Sequence, residues 1–328
     1  SFIKMHSIDQ LQTIINKAIA DTKYTEQPPE LYEPISYLMQ LGGKRMRPVL
    51  VLVATELFGG DIKKAIDAAI GIELFHNFTL MHDDIMDKAP LRRGKPTVHE
   101  KWNESAAILS GDVMFVEAYK LMIKVDDSIL RKVLDIFSDT ASGVCQGQQE
   151  DMNFEHRDDV SINEYIEMIR KKTAVLLAGS MQIGALIGGA GKAQSELLYS
   201  FGKNLGIAFQ LQDDILDVYG DPEKFGKQVG GDIISNKKTF MLIKAMELAK
   251  GEIKEELNYW INLEQFDTEA KVDTITLIYN KLKVKELAEA EMVHYAGEAI
   301  AALDKIRASD SNKELLRAFA EQLLIREQ

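Results

Sequence analysis

Apolar residues stand at positions 8, 11, 14, 15, 18 and 19 near the start of the chain, a helical stripe that must stop before Pro28-Pro29. Leu31 to Leu41 predicts a shorter helix closed by Gly42-Gly43. Pro48 to Phe58 predicts another, with proline in its first turn and Gly59-Gly60 behind it. Asp61 is the expected cap of a long helix reaching about Lys88, which Pro90 ends. Ser105 to Val125, Ser128 to Phe154, Ser161 to Arg170 and Thr173 to Ile187 repeat the 3.6-residue period. The GGAG at 188–191 reads as a turn, and Gln194 to Tyr219 as a long helix. A polar, glycine-rich loop is expected from Gly220 to Asn236, then three or four amphipathic helices from Lys237 onward. Strand alternation is nowhere sustained. The pattern predicts an all-α protein of ten or more helices.

Composition narrows this picture. The chain has 328 residues, 46% hydrophobic and 27% charged, enough for a large core. No linker-like stretch divides it, so a single domain over 1–328 is expected. The net charge of −12 excludes the basic stripe that nucleic acid would need. No apolar run reaches membrane-spanning length and no signal peptide is read. The single cysteine, Cys145, rules out an internal disulfide and fits a reducing cytoplasm. Its apolar helical setting predicts a small core residue.

The chemistry lies in two aspartate clusters. In LMHDDIMD, Asp83 and Asp87 are four residues apart and share a helix face, with Asp84 beside them. Like charges at that spacing repel unless a hard cation takes oxygen from both, and Mg²⁺ is commonly held by one or two carboxylates plus substrate phosphate. One DDxxD alone is compatible with a solvated helix face. A second copy, FQLQDDILD, places Asp213, Asp214 and Asp217 at the same spacing in equally apolar sequence, where uncompensated charge is costly. Two such trios can face one another and share metal ions.

Basic groups accompany them. Arg92 and Arg93 follow the first cluster, and Lys44, Arg45 and Arg47 open a helix after Gly42-Gly43, where backbone N–H groups favour an anion. His76 lies seven residues before Asp83, on the same face. Lys171, Lys172 and Thr173 open one predicted helix, as do Lys237, Lys238 and Thr239, and Lys227 sits in the long loop.

GGKRMRP, HDDIMD with LRRG, GQxxD at 147–151, KKTA at 171–174, FQLQDDILD, and the downstream GK and NKKT stand in that order from Gly42 to Thr239. Together they resemble the trans-isoprenyl diphosphate synthases, the polyprenyl synthetase family. The resemblance implies an isoprenoid synthase-like helical bundle around a central cavity. It implies that Asp83, Asp87 and Asp213 coordinate a cluster of roughly three Mg²⁺ ions, supported by Asp84, Asp214 and Asp217. It gives Arg92, Lys172, Gln210, Lys227 and Lys237 to the diphosphate of the allylic substrate, with Thr173 beside the reacting centre. Lys44, Arg47, His76 and Arg93 go to the diphosphate of isopentenyl diphosphate, while Gln148 and Asp151 line the same cavity. A homodimer is also implied.

The implied reaction is chain elongation: an allylic diphosphate ionises, isopentenyl diphosphate attacks, and a proton is lost. A terpene cyclase would share the first DDxxD but has no use for the second diphosphate grip. A noncatalytic subunit of a heteromeric synthase would usually have lost aspartates, and both clusters are intact. For product length, Asp83, Thr79 and Phe75 form one helical row, and Phe75 lies roughly 12 Å below Asp83. The family pattern instead emphasises Phe78, roughly 140° from Asp83 on an ideal wheel. Both arguments give a blocked tunnel and products of fifteen to twenty carbons, twenty favoured, with a longer-chain synthase as the alternative.

Overall fold

The computed structural model describes residues 5–225 and 229–322, the side chains of 224 and 225 excepted. Helix dominates as expected. The only sheet among the described residues is a two-residue antiparallel pair, Leu91–Arg92 against Lys95–Pro96. The chain forms two compact units. One holds the residues up to Asp139 with Gly179–Tyr199 and Arg307–Lys313, and the other holds Thr140–Ala178, Ser200–Ile306 and the residues from Glu314. Each mixes early and late sequence, so no single cut point separates them.

In the first unit, Ser7 opens the helix Ile8–Asp21 with a capping box. Its Oγ accepts from Gln10 N at 3.1 Å, and its own N–H donates to Gln10 Oε1 at 2.9 Å. Leu11, Ile15 and Ile19 form the buried row that the spacing predicted. Pro29–Gln40 begins earlier than expected because proline suits the first helical position. Met46–Leu57 is buried without a break from Pro48 to Leu57, as a helix apolar all round must be. Asp61 caps a 3₁₀ turn, Ile62–Lys64, and not the long helix itself, with Oδ1 accepting from Lys63 N at 3.0 Å. The first aspartate helix then runs from Ile66 to Met86, with Glu104–Met122 packed along it.

In the second unit, Ser161 caps Ile162–Ile169, again with a capping box. The expected break before Thr173 is absent. Arg170–Ala174 form a π turn that passes directly into Val175–Ile187, so Lys171 and Lys172 do not open a helix. The expected loop at 220–236 contains two short helices, Pro222–Phe225 and Gly231–Ile234, too brief to show a period. Among the described residues five helices follow Lys237, more than the three or four expected: Phe240–Leu248, Gly251–Asn262, Thr268–Leu282, Val284–Asp304 and Asp310–Gln322. Lys283 turns the chain between the third and fourth with φ 56°, where no glycine or proline marks the boundary.

Cys145 is exposed, against expectation. The buried row of the helix Asp127–Phe154 passes through Phe137, Ala141 and Val144, and Cys145 sits one residue off it. No helix among the described residues is long and apolar enough to cross a membrane.

Candidate active site

The first aspartate cluster sits at the end of the helix Ile66–Met86. Asp87 is its C-cap, with its N–H donating to Asp83 O at 2.8 Å. Asp83 is half-buried and Asp87 exposed, whereas Asp84 is only 5% exposed. Asp84 accepts both arms of Arg92, Nε to Oδ2 and Nη2 to Oδ1, each at 2.8 Å. This bidentate, charge-assisted pair orients Arg92 and leaves other N–H groups of its guanidinium for a ligand. Arg92 is a strand residue, and the turn beyond it uses Arg93 at φ 51° and Gly94 at φ 75°. Arg93 Nη1 donates to Gly42 O at 2.5 Å, joining the RRG turn to the GGKRMRP segment.

That segment turns through three positive φ values, 86° at Gly42, 132° at Gly43 and 55° at Arg45. Glycine reaches such angles freely, but for arginine the left-handed region costs about 1 kcal/mol or more. Lys44 is exposed. Arg45 is not, and turns inward to Glu73 at 3.2 Å and to Met39 O. Arg47 is half-buried with Nη1 3.4 Å from His76 Nε2. Burial and the guanidinium charges of Arg47, Arg93, Arg92 and Arg45 hold the His76 imidazole well below its ordinary value, so it stays neutral. Several cations thus converge on one neutral histidine, an arrangement that attracts a polyanion.

In the second unit, the second aspartate cluster lies near the end of the helix Lys192–Tyr219. It divides as the first does. Asp213 is exposed, while Asp214 is buried and accepts from Tyr165 Oη, from Phe240 N at 3.2 Å and from Gln210 Nε2 at 3.2 Å. Burial pushes the Asp214 carboxyl up to about 7 against these hydrogen bonds. Asp217, also buried, accepts from Asp232 N at 2.9 Å and so fixes the turn after Gly230. Thr239 caps Phe240–Leu248, placing Lys237 just ahead of it. Partial desolvation pulls the Lys237 ammonium down, but Asp232, Asp151, Asp214 and Asp217 outweigh it and raise its pKa. Lys172 lies in the π turn with Nζ 2.6 Å from Asp151 Oδ2, and Thr173 follows it, half-buried. A Cβ on Gly147 would lie 2.3 Å from Lys172 N, so only glycine lets the GQxxD helix carry Asp151 this close. Gln148, on the same helix, has its buried Oε1 without a hydrogen-bond partner. Lys227 lies outside the described residues.

Phe75 and Phe78 belong to an aromatic cluster in the first unit. Their ring centroids are 5.7 Å apart, and each meets Phe115, at 5.5 and 5.0 Å. Phe137 stands edge-on to Phe75 at 5.5 Å and to Tyr119 at 4.8 Å. Thr79 is half-buried, its hydroxyl donating to His76 O at 2.5 Å. Sequence reasoning missed Phe115, Tyr119 and Phe137, as well as Tyr165, Asp232 and Glu73. Only the glutamate carried a signal, a charge inside an apolar helix.

Carboxylate oxygen is the hard donor that Mg²⁺ takes: in the first unit Asp83 is half-buried and Asp87 exposed, and in the second unit Asp213 is exposed. Donors of this kind fit that ion in each unit taken by itself.

Comparison with known proteins agrees with this chemistry. The family model for polyprenyl synthetase matches residues 28–279. A geranylgeranyl diphosphate synthase of Methanosarcina mazei is 39% identical over 322 residues, 95% of each chain. A crystal structure of a geranylgeranyl pyrophosphate synthase superposes with a TM-score of 0.93 at 41% identity, covering 99% of this chain and 100% of that one. The corresponding synthetase of Pyrococcus horikoshii Ot3 gives 0.89 at 34% identity, covering 98% of both chains. With an all-α fold, two DDxxD helices and basic groups gathered at His76, this chain belongs to the polyprenyl synthetase family.

Proposed function

We propose that this trans-prenyltransferase, acting as one catalytic domain, condenses isopentenyl diphosphate with an allylic diphosphate and releases an all-trans product of fifteen to twenty carbons, twenty favoured. The observation that carries the two-substrate reading is the second cationic set. Arg47 and Arg93 act on His76 in one group, next in sequence to the exposed Lys44, while Lys172 and Lys237 stand beside carboxylates that include Asp151. A single diphosphate has no use for both.

In this reading Lys44, Arg47, His76 and Arg93 hold isopentenyl diphosphate. Arg92, Lys172, Gln210, Lys227 and Lys237 hold the allylic diphosphate, Thr173 lies beside the reacting carbon, and Gln148 lines the cavity. Asp84 and Asp151 orient Arg92 and Lys172 while leaving donors on each for phosphate oxygen. Asp83, Asp87 and Asp213 would hold the magnesium ions, with Asp84, Asp214 and Asp217 supporting. Bound there, Mg²⁺ would supply Lewis-acid neutralisation of the charge on the departing diphosphate. The allylic C–O bond breaks and its electron pair leaves with diphosphate. The double bond of isopentenyl diphosphate then forms the new C–C bond to the allylic cation. The departed diphosphate accepts the proton, and exclusion of water protects the cation.

Substrate partition tests the assignment. Lys44→Ala and Arg47→Ala are expected to raise the KM for isopentenyl diphosphate at least tenfold, with the allylic KM little changed. Lys237→Ala should do the reverse. Equal effects on both substrates would overturn the division.

A homodimer is part of the reading. Leu109, Val116 and Ile123 recur every seventh residue along Glu104–Met122 and its cap, and are 56, 55 and 51% exposed. An exposed apolar stripe of that period suits packing against a helix of a second copy and supports the reading. Light scattering at micromolar concentration should give twice the chain mass, and Val116→Glu should halve it. A monomeric mass for the unmutated protein would contradict this. The lone cysteine further supports a cytoplasmic location.

A further inference from the structure

Arg45 stands between Lys44 and Arg47 in the basic segment but, unlike the exposed Lys44, is buried. It is 6% exposed, and its backbone is left-handed, with φ 55°, at the residue that precedes the helix Met46–Leu57. One arm of its guanidinium reaches Glu73 Oε1 at 3.2 Å, and another donates to Met39 O, near the end of the helix Pro29–Gln40. Glu73 is itself 3% exposed and accepts a second bond at Oε1 from Asn77 Nδ2 at 2.8 Å. Glu73 and Asn77 flank His76 on the helix Ile66–Met86. The same buried carboxylate therefore grips the basic segment from one side and the histidine helix from the other. On the outer side, Gln12 Nε2 donates to Lys44 O at 3.1 Å.

A buried ion pair is a poor device for stability, because apolar residues of similar volume usually do as well. It is a good device for register, since a planar guanidinium satisfies two partners only in one orientation. Here the register in question is that of Arg47 against His76, 3.4 Å apart.

We propose that Arg45, acting through Glu73, is a positioning residue that holds Lys44 and Arg47 in register with His76 and so sets the affinity for the homoallylic diphosphate. The inference rests on the assignment of Lys44, Arg47 and His76 to isopentenyl diphosphate.

The test compares Arg45→Lys, Glu73→Gln and the double variant Arg45→Met/Glu73→Leu with Arg47→Ala as a control. All are assayed with isopentenyl diphosphate and an allylic primer. The expected result is a KM for isopentenyl diphosphate raised at least tenfold in all three, with kcat within threefold and the allylic KM within twofold. The double variant should melt within a few degrees of the unmutated protein, because its apolar pair replaces the ion pair. A double variant with normal melting and normal KM makes the pair a stability element only and overturns the proposal. If the double variant does not fold, Arg45→Lys assayed below its melting temperature decides in the same way: a raised KM supports the proposal and an unchanged one overturns it. If Arg47→Ala leaves the KM unchanged, the underlying site assignment fails. If Arg47→Ala raises it and Arg45→Lys does not, only the positioning role fails.

Discussion

Asp83→Ala and Asp213→Ala are expected to lower turnover by roughly 10³-fold or more while circular dichroism and melting temperature stay close to those of the unmutated protein. Asp83 is half-buried and Asp213 exposed near the ends of apolar helices, and removing either relieves repulsion within its acidic cluster. The neighbouring positions behave differently. Asp84→Ala strips the partner from Arg92, and Asp214→Ala leaves Tyr165 Oη and Phe240 N without their acceptor. Each unsatisfied buried group costs about 1–3 kcal/mol, so these two variants should melt several degrees lower as well as losing activity. Melting curves in the absence of metal, set beside turnover, separate the two classes. Near-normal turnover in Asp83→Ala or Asp213→Ala would remove that residue from the metal site.

Product length gives the second large effect. Phe78→Ala is expected to shift the main product from twenty carbons to twenty-five or more. Phe78 stacks on Phe115 with an interplanar angle of 4° and meets His82 edge-on at 4.8 Å. Removing its ring opens space one turn below the first aspartates. Phe75→Ala should also lengthen the product, but at a greater cost in stability. Phe75 is fully buried against three rings, and such truncations cost about 3–5 kcal/mol. Chromatography of labelled, dephosphorylated products reads both variants. Chains of thirty carbons or more from the unmutated enzyme would mean that neither phenylalanine is the floor.

The long amphipathic helices were legible because burial of one face requires a period, and Leu11, Ile15 and Ile19 show it directly. The aspartate clusters were legible because charge inside apolar helix needs an explanation. What periodicity could not show was the fate of individual side chains. Asp83 and Asp84 are adjacent and alike in sequence, yet Asp84 is the buried one and takes the bidentate pair from Arg92, whose approach depends on a turn at Arg93 and Gly94. Arg45 looked like its basic neighbours until its left-handed backbone turned it toward Glu73. The π turn at Lys172 leaves no mark in a hydrophobic pattern, because it keeps the helix going. Helix geometry favoured Phe75 and the family pattern favoured Phe78. The structure puts both rings against Phe115, a residue of another helix that no reading of a single helix could supply.

The most direct test of the central claim is incorporation of labelled isopentenyl diphosphate into an allylic primer, measured with Mg²⁺ and with chelator. The account predicts metal-dependent chain growth ending mainly at twenty carbons, with one diphosphate released for each unit added. Release of diphosphate from the allylic substrate without coupling, or no turnover in the presence of Mg²⁺, would contradict it.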